Sequence, residues 1–203
     1  FLTRGAILRV GPDKWLLGWG NAPLSSKAES NGLHFYAPDY FLTEKTPWWA
    51  PENIALCSVS DLTEICSGGR ALEVNAGAAD AEFFAEQFSF YMDQIKDKNL
   101  FKAVPFTFKS IAAKASNDLL LQNLFCKQGK DLCLYGIWNQ QDGLMGLTPE
   151  TLCDWDAQTE ILQTAAVAGT MAVKDYREGD LLCDPKLRQE HQFVVEAISE
   201  SLG

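Results

Sequence analysis

The order of hydrophobic and polar positions predicts two β-hairpins. Apolar residues 6–10 and 15–19 flank the turn sequence Gly-Pro-Asp-Lys at residues 11–14. Proline fixes φ in such a turn and aspartate accepts local backbone hydrogen bonds, so the pattern is typical of a hairpin. Residues 132–138 and 143–147 form a second pair of apolar runs, joined by a polar four-residue turn.

Other segments carry either the 3.6-residue period of a helix or a short strand pattern. In residues 80–99, aromatic and aliphatic side chains recur at helical spacing, which predicts a helix with a buried apolar face. A shorter helix is predicted at residues 117–126. The last helix opens with Asp184-Pro185, an N-cap followed by proline in the first turn. Short strands are predicted at residues 54–57, 100–108 and 161–167, the second of them weakened by Pro105.

This mixture of short strands and a few amphipathic helices predicts an α+β fold with antiparallel sheets. Strand patterns dominate residues 1–79, and the clear helices lie in residues 80–203. We therefore expect a β-rich N-terminal region and a second region that begins at residue 80.

Two polar residues interrupt the apolar pattern of the last helix. Glu190 lies four residues before Val194, and His191 lies four residues after Leu187. Residues at this spacing share one face of a helix. A carboxylate and an imidazole beside an apolar stripe need partners, because burying an unpaired polar group is costly. The sequence therefore predicts a specific contact for each.

Composition excludes several classes of partner. The chain has 203 residues, 47% of them hydrophobic, and a formal net charge of −10, which argues against binding to nucleic acid. We expect no membrane partner, because no apolar run approaches the roughly 20 residues that span a bilayer. The N-terminal residues lack the features of a signal peptide, which predicts a cytoplasmic protein. An acidic protein that handles an anion needs a local positive site, supplied by Mg²⁺ or by lysine and arginine.

The cysteines do not form a metal-binding pattern. The chain has six cysteines and two histidines, without a Cys-x-x-Cys pair, so a zinc site is not expected. Their dispersed spacing favours free thiols in a reducing compartment. They are Cys57, Cys66, Cys126, Cys133, Cys153 and Cys183.

Three short segments are candidates for chemistry, and each has an ordinary structural alternative. Lys102 lies in an apolar strand pattern and is either an edge lysine or a desolvated general base. Glu150 ends the sequence Gly-Leu-Thr-Pro-Glu and is either a first-turn helix acid or a general acid after a strand. Gly169-Thr170 is either a turn or a place where the backbone approaches a ligand closely.

Taken in order, these motifs resemble the chorismate-binding enzymes. That family contains isochorismate synthases, salicylate synthases and the first components of anthranilate and aminodeoxychorismate synthases. The resemblance rests on Gly-x-Thr-Pro-Glu at residues 146–150, Ala-Gly-Thr at 168–170 and Asp-x-Lys-x-x-x-Glu-His at 184–191. Lys102 lies 48 residues before Glu150, which lies 40 residues before Glu190, and both separations fit the family. The resemblance covers about residues 83–202.

The resemblance implies a reaction and a set of roles. Chorismate is the substrate, and Mg²⁺ holds its ring carboxylate while a nucleophile adds at C2 and the C4 hydroxyl leaves. Lys102 is then the base that activates water, Glu150 the acid that protonates the departing hydroxyl, and Glu190 a Mg²⁺ ligand. Gly169 and Thr170 contact the substrate.

His191, beside the metal ligand, is either a group that orients the Glu190 carboxylate or a histidine satisfied in the core. The fold implied by the resemblance has helices packed outside large antiparallel sheets, around a central pocket. Residues 80–203 then form the first half of the catalytic domain.

Within the family, the residues favour an isochorismate synthase. Anthranilate synthases typically have glutamine where this chain has Lys102, and lysine favours water as the nucleophile. Ala-Val-Ala-Gly at residues 166–169 replaces the Pro-Ile usual in the amine-using enzymes, whereas Pro-Phe-Thr-Phe at 105–108 departs from the family's Ala-Arg or Ser-Arg. The alternatives are a salicylate synthase, or component I of anthranilate or aminodeoxychorismate (para-aminobenzoate) synthase with a glutamine amidotransferase partner.

Family members also continue beyond the last helix, with a second metal-binding glutamate and cationic groups for the substrate. We therefore expect the chain to represent the N-terminal part of such an enzyme, which requires a C-terminal half or self-association for activity. A different class of function is an inactive binding or assembly module that keeps the motifs.

Overall fold

The computed structural model describes residues 3–65, 80–111, 115–127, 129, 131–175, 177 and 180–203. It divides the chain into two compact units, each made of two segments. The first unit is Phe1–Val74 with Ala113–Thr151, and the second is Asn75–Ala112 with Leu152–Gly203. These limits differ from the regions 1–79 and 80–203 expected from the sequence, because β-strands from both of those regions hydrogen-bond in one sheet.

The strands in chain order are β1 Gly5–Gly11, β2 Lys14–Trp19, β3 Leu24–Ser25, β4 Phe35–Tyr36, β5 Trp48–Trp49, β6 Asn53–Cys57, β7 Cys133–Trp138, β8 Gly143–Thr148, β9 Asp154–Asp156 and β10 Ile161–Gln163. The helices are α1 Val59–Ile65, α2 Ala81–Lys96, α3 Asn117–Lys127, α4 Asp180–Cys183 and α5 Pro185–Leu202, with a 3-10 turn at Val173–Asp175. All described strand pairs are antiparallel. Together with the helices, this confirms the mixture of helices and antiparallel sheets predicted from the sequence.

A five-stranded sheet in the order β6-β2-β1-β7-β8 forms the centre of the first unit. Both predicted hairpins are confirmed in it, as β1–β2 and β7–β8. Strand β1 is flanked by β2 and β7, so that Ile7 lies opposite Leu17 on one side and Gly136 on the other. A separate three-stranded sheet has the order β3-β5-β4.

One face of the five-stranded sheet is covered by α1 and α3, which contribute Leu62 and Leu121 to the core. Strand residues alternate between two faces, so the side chains at every second position meet these helices. The remaining buried residues of the cluster are Ile7, Trp15, Leu17, Cys57, Leu134 and Trp138.

The second unit contains α2, α4, α5 and the β9–β10 hairpin. The side chain of Asp80 caps α2 by accepting a hydrogen bond from the Phe83 nitrogen at 3.0 Å, as a helix N-cap should. The buried aromatic face predicted for this helix is wrong. Phe84 and Phe88 are 40% and 49% exposed, and α2 has no buried residue.

Two predicted strands of the second unit also differ. The strand predicted at residues 161–167 is confirmed only for Ile161–Gln163. Residues 100–108 form no strand and pair with no described strand, and Pro105 has no N–H for a ladder. Phe106 and Phe108, within this segment, are 76% and 84% exposed.

The described cysteines are all free thiols, as predicted: Cys57, Cys126, Cys133, Cys153 and Cys183. Cys66 lies outside the described residues. Within the part of the chain that the structure describes, no helix has the length and apolar character required to cross a bilayer.

Candidate functional site

Helix α5 organises the candidate site of the second unit. Its start is fixed as predicted, because the Asp184 side chain accepts a hydrogen bond from the Leu187 nitrogen at 2.9 Å. Pro185 occupies the first turn, where its missing N–H costs nothing. The first two turns of α5 carry Glu190 and His191, the two residues for which the sequence predicts a partner.

Glu190 pairs with Lys102. The Lys102 Nζ lies 3.2 Å from the Glu190 Oε1, and the two side chains are 31% and 35% exposed. The neighbouring residue Phe101 lies against Phe193, with ring centroids 6.2 Å apart. Because residues 190 and 193 share a face of α5, the segment that carries Lys102 is held against that face at two adjacent points.

His191 contacts the backbone of the segment before Gly169. Its Nε2 lies 3.2 Å from the carbonyl oxygen of Ala166. A carbonyl oxygen only accepts, so the imidazole donates its Nε2–H there. Glu190 and His191 thus each have the specific contact predicted from the sequence, although the His191 side chain is exposed and not in a core.

Gly169 has φ = +86°, in the left-handed region that favours glycine. A Cβ at this position would lie 3.4 Å from both the Cβ and the carbonyl oxygen of Leu187. The backbone therefore passes close to the first turn of α5, where a Cβ would still fit at van der Waals distance, so the positive φ rather than a lack of space explains the glycine. Thr170, the next residue, is exposed.

Glu150 belongs to the first unit and lies two residues after the end of β8. Its backbone nitrogen donates to the Thr148 Oγ1 at 3.1 Å, which makes a side-chain turn at the end of the strand. No helix begins at residues 149–153, so the interpretation of Glu150 as a first-turn helix acid is wrong. Its carboxyl group lies just after the end of a strand, where the alternative placed it, and the side chain is exposed.

A groove of about 580 Å³ lies within the second unit, beside the apolar side of α5. Among the described residues that line it, Lys102 is the one cation. The apolar stripe of α5 forms one side of the groove, whereas the contribution of Leu152 was not predicted from the sequence, because no predicted helix or strand includes it. The lining residues are Lys102, Leu152, Cys153, Leu162, Thr164, Phe193, Val194, Ala197, Ile198, Ser201 and Leu202.

The candidate metal ligand is a single carboxylate. Glu190 is partly exposed and offers the hard oxygen donor that Mg²⁺ prefers, and Mg²⁺ commonly uses one or two carboxylates together with water and substrate oxygens. Among the described residues, no group of three or more His, Cys, Asp and Glu side chains is placed to hold a metal ion. A Mg²⁺ ion at Glu190 would therefore need its other ligands from water and substrate oxygens.

Comparison with known proteins gives one match. A family model described as "Chorismate binding enzyme" matches residues 63–203, more than half of the chain. No curated protein and no solved structure matches the chain. The matched range includes α5, the Lys102 segment and Glu150.

Proposed function

Because the chain belongs to the chorismate-binding enzyme family, we propose that it is an isochorismate synthase that uses water as its nucleophile. Chorismate-utilising chemistry follows from the family, and the choice of water follows from Lys102. In this proposal Lys102 is the base, Glu150 is the acid and Glu190 is a metal ligand.

The observation that carries the proposal is the contact between Lys102 and Glu190 at 3.2 Å. These residues lie 88 positions apart in the chain and come from two separate motifs. The contact supports one site for both residues, since a base that activates water beside a metal-bound carboxylate must lie within a few ångströms of the metal ligand.

The proposed reaction is an isomerisation in which water is added and water is lost. Lys102 takes a proton from a water molecule as the water oxygen bonds to C2 of chorismate. Both double bonds of the ring shift by one position, the bond from C4 to its hydroxyl breaks, and Glu150 donates the proton that converts this hydroxyl to water. A lysine that accepts a proton begins as the neutral amine, so the Lys102 ammonium of the ion pair with Glu190 must give up a proton before the attack.

We propose Mg²⁺ as the cofactor, with Glu190 as one of its ligands. When bound, the ion would supply positive charge for the ring carboxylate of the substrate. Gly169 and Thr170 would contact the substrate through the backbone and the hydroxyl group. Their position beside α5 supports this role, because α5 also carries the proposed metal ligand.

The test is product analysis after incubation of the full-length protein with chorismate and Mg²⁺, with and without ammonia. We expect isochorismate in both reactions. An aromatic amine with ammonia, together with no isochorismate in its absence, would instead identify an anthranilate or aminodeoxychorismate synthase. Salicylate as the end product would identify a salicylate synthase, and chorismate binding without any product would support a binding module.

Lys102→Gln is the decisive variant. It should abolish formation of isochorismate while the far-UV circular dichroism spectrum stays unchanged. Lys96→Gln is the matched control, because Lys96 is also ion-paired, to Asp93 at 2.9 Å, but lies on α2 and is 68% exposed. Unchanged turnover in Lys102→Gln would remove this residue from the mechanism.

A further inference from the structure

The contact of His191 with Ala166 is not used by the proposed chemistry. The two groups lie 25 residues apart in the chain, and the Nε2–H of His191 is donated to the Ala166 carbonyl at 3.2 Å. The neighbouring Glu190 carboxylate pairs with Lys102 instead. The imidazole Nε2 is therefore directed to the backbone of residues 166–170 rather than to the candidate metal ligand.

A second contact joins the same segment to the same helix. Gly169 lies over Leu187, where a Cβ would be 3.4 Å from the Leu187 carbonyl oxygen. Leu187 and His191 are four residues apart and share one face of α5. Ala166 contacts His191, and Gly169 lies close to Leu187, which is about one turn nearer the start of α5. The segment is therefore hydrogen-bonded to α5 at Ala166 and passes close to it at Gly169.

We propose that His191 is a positioning residue that fixes the backbone of residues 166–170 on α5. It sets where Gly169 presents its backbone and Thr170 its hydroxyl group. The proposal rests on the proposed function in one respect, namely that Gly169 and Thr170 contact the substrate. The attachment of the segment to α5 does not depend on it.

Two variants of His191 separate the hydrogen bond from the presence of a side chain. His191→Leu removes the donor and introduces an apolar side chain that is favourable in a helix. His191→Gln keeps an N–H donor at a similar reach from the helix. Gln192→Leu is the matched control, because the Gln192 amide bonds Glu196 at 2.9 Å within α5 and not the 166–170 segment.

The first measurement is amide hydrogen exchange of peptides that cover residues 165–171. In His191→Leu we expect exchange roughly 2- to 10-fold faster, the factor by which one net hydrogen bond shifts a local opening equilibrium. Exchange in His191→Gln and in Gln192→Leu should match the unmodified protein. Unchanged exchange in His191→Leu overturns the proposal. So does faster exchange along all of α5, which would show that the histidine only stabilises the helix.

The second measurement is the steady-state kinetics of chorismate turnover. His191→Leu should raise KM several-fold with a smaller change in kcat, because contacts kept in both the ground and the transition state affect binding. His191→Gln should restore KM, and a kcat loss with unchanged KM in His191→Leu would contradict the positioning role. If the unmodified protein does not turn over chorismate, the proposed function fails, while the exchange data still decide whether His191 holds the segment.

Discussion

Replacing Gly169 by alanine tests whether glycine is required by the backbone conformation at this position or by the space available for a side chain. Gly169 has φ = +86°, and an alanine in the left-handed region costs about 1–2 kcal/mol. The added Cβ would lie 3.4 Å from Leu187, an ordinary van der Waals distance, so overpacking adds little. Alanine also restricts the unfolded chain, which offsets about 0.4–1 kcal/mol. The net expectation is a loss of about 1 kcal/mol.

Gly129→Ala is the matched control for this substitution. A Cβ added to Gly129 would meet no atom of the described residues within 4 Å, and no φ in the left-handed region is found for this residue. Alanine there keeps the unfolded-chain effect without the conformational cost, so we expect stability to be unchanged or to rise by up to about 1 kcal/mol. The two variants should therefore differ by about 1–2 kcal/mol.

The assay is urea unfolding followed by far-UV circular dichroism, with each variant compared with the unmodified protein. A difference between the two variants below about 0.5 kcal/mol would refute the argument from φ. A loss above about 3 kcal/mol in Gly169→Ala would show that space beside Leu187, and not φ, is limiting.

Three further predictions concern single groups. Asp184→Ala should destabilise the protein by about 0.5–2 kcal/mol in urea unfolding, whereas Asp184→Asn should lose much less, because asparagine also caps helices. Hydrogen bonds from the Ser58 nitrogen and hydroxyl lower the pKa of Asp61, so its carboxylate stabilises α1 above its unfolded pKa of about 3.9. This contribution should be lost as pH falls through the lower folded value, and an NMR pH titration that finds an unshifted pKa would contradict it. Burial, together with the negative charge of Asp61, raises the pKa of the Cys57 thiol. At pH 8 Cys57 should therefore react with a thiol reagent more slowly than the exposed cysteines. Equal reaction rates would contradict this prediction.

Local signals in the sequence were sufficient for several elements of the fold. The turn at residues 11–14 lies between β1 and β2 as predicted, because proline and aspartate act within a few residues of their own position. The Asp184-Pro185 pair likewise predicted the first residue of α5. Such signals depend on short-range backbone geometry, which the neighbouring residues largely set.

Burial could not be predicted in the same way. The aromatic positions of α2 have a clear helical period, yet Phe84 and Phe88 are 40% and 49% exposed. Periodicity reports that one face is apolar and does not report what covers it. The segment at residues 100–108 shows a similar limit, because a strand requires a neighbour as well as a suitable sequence.

For the candidate site, the sequence by itself determined which residues are chemically unusual. It identified Glu190 and His191 as polar groups that need partners, since their positions on an amphipathic helix follow from helical spacing alone. Only the tertiary structure decided that these partners are Lys102 and the Ala166 carbonyl, and that Gly169 packs on Leu187. The physical reason is that these contacts join residues 18 to 88 positions apart, whose meeting depends on how several segments pack on α5.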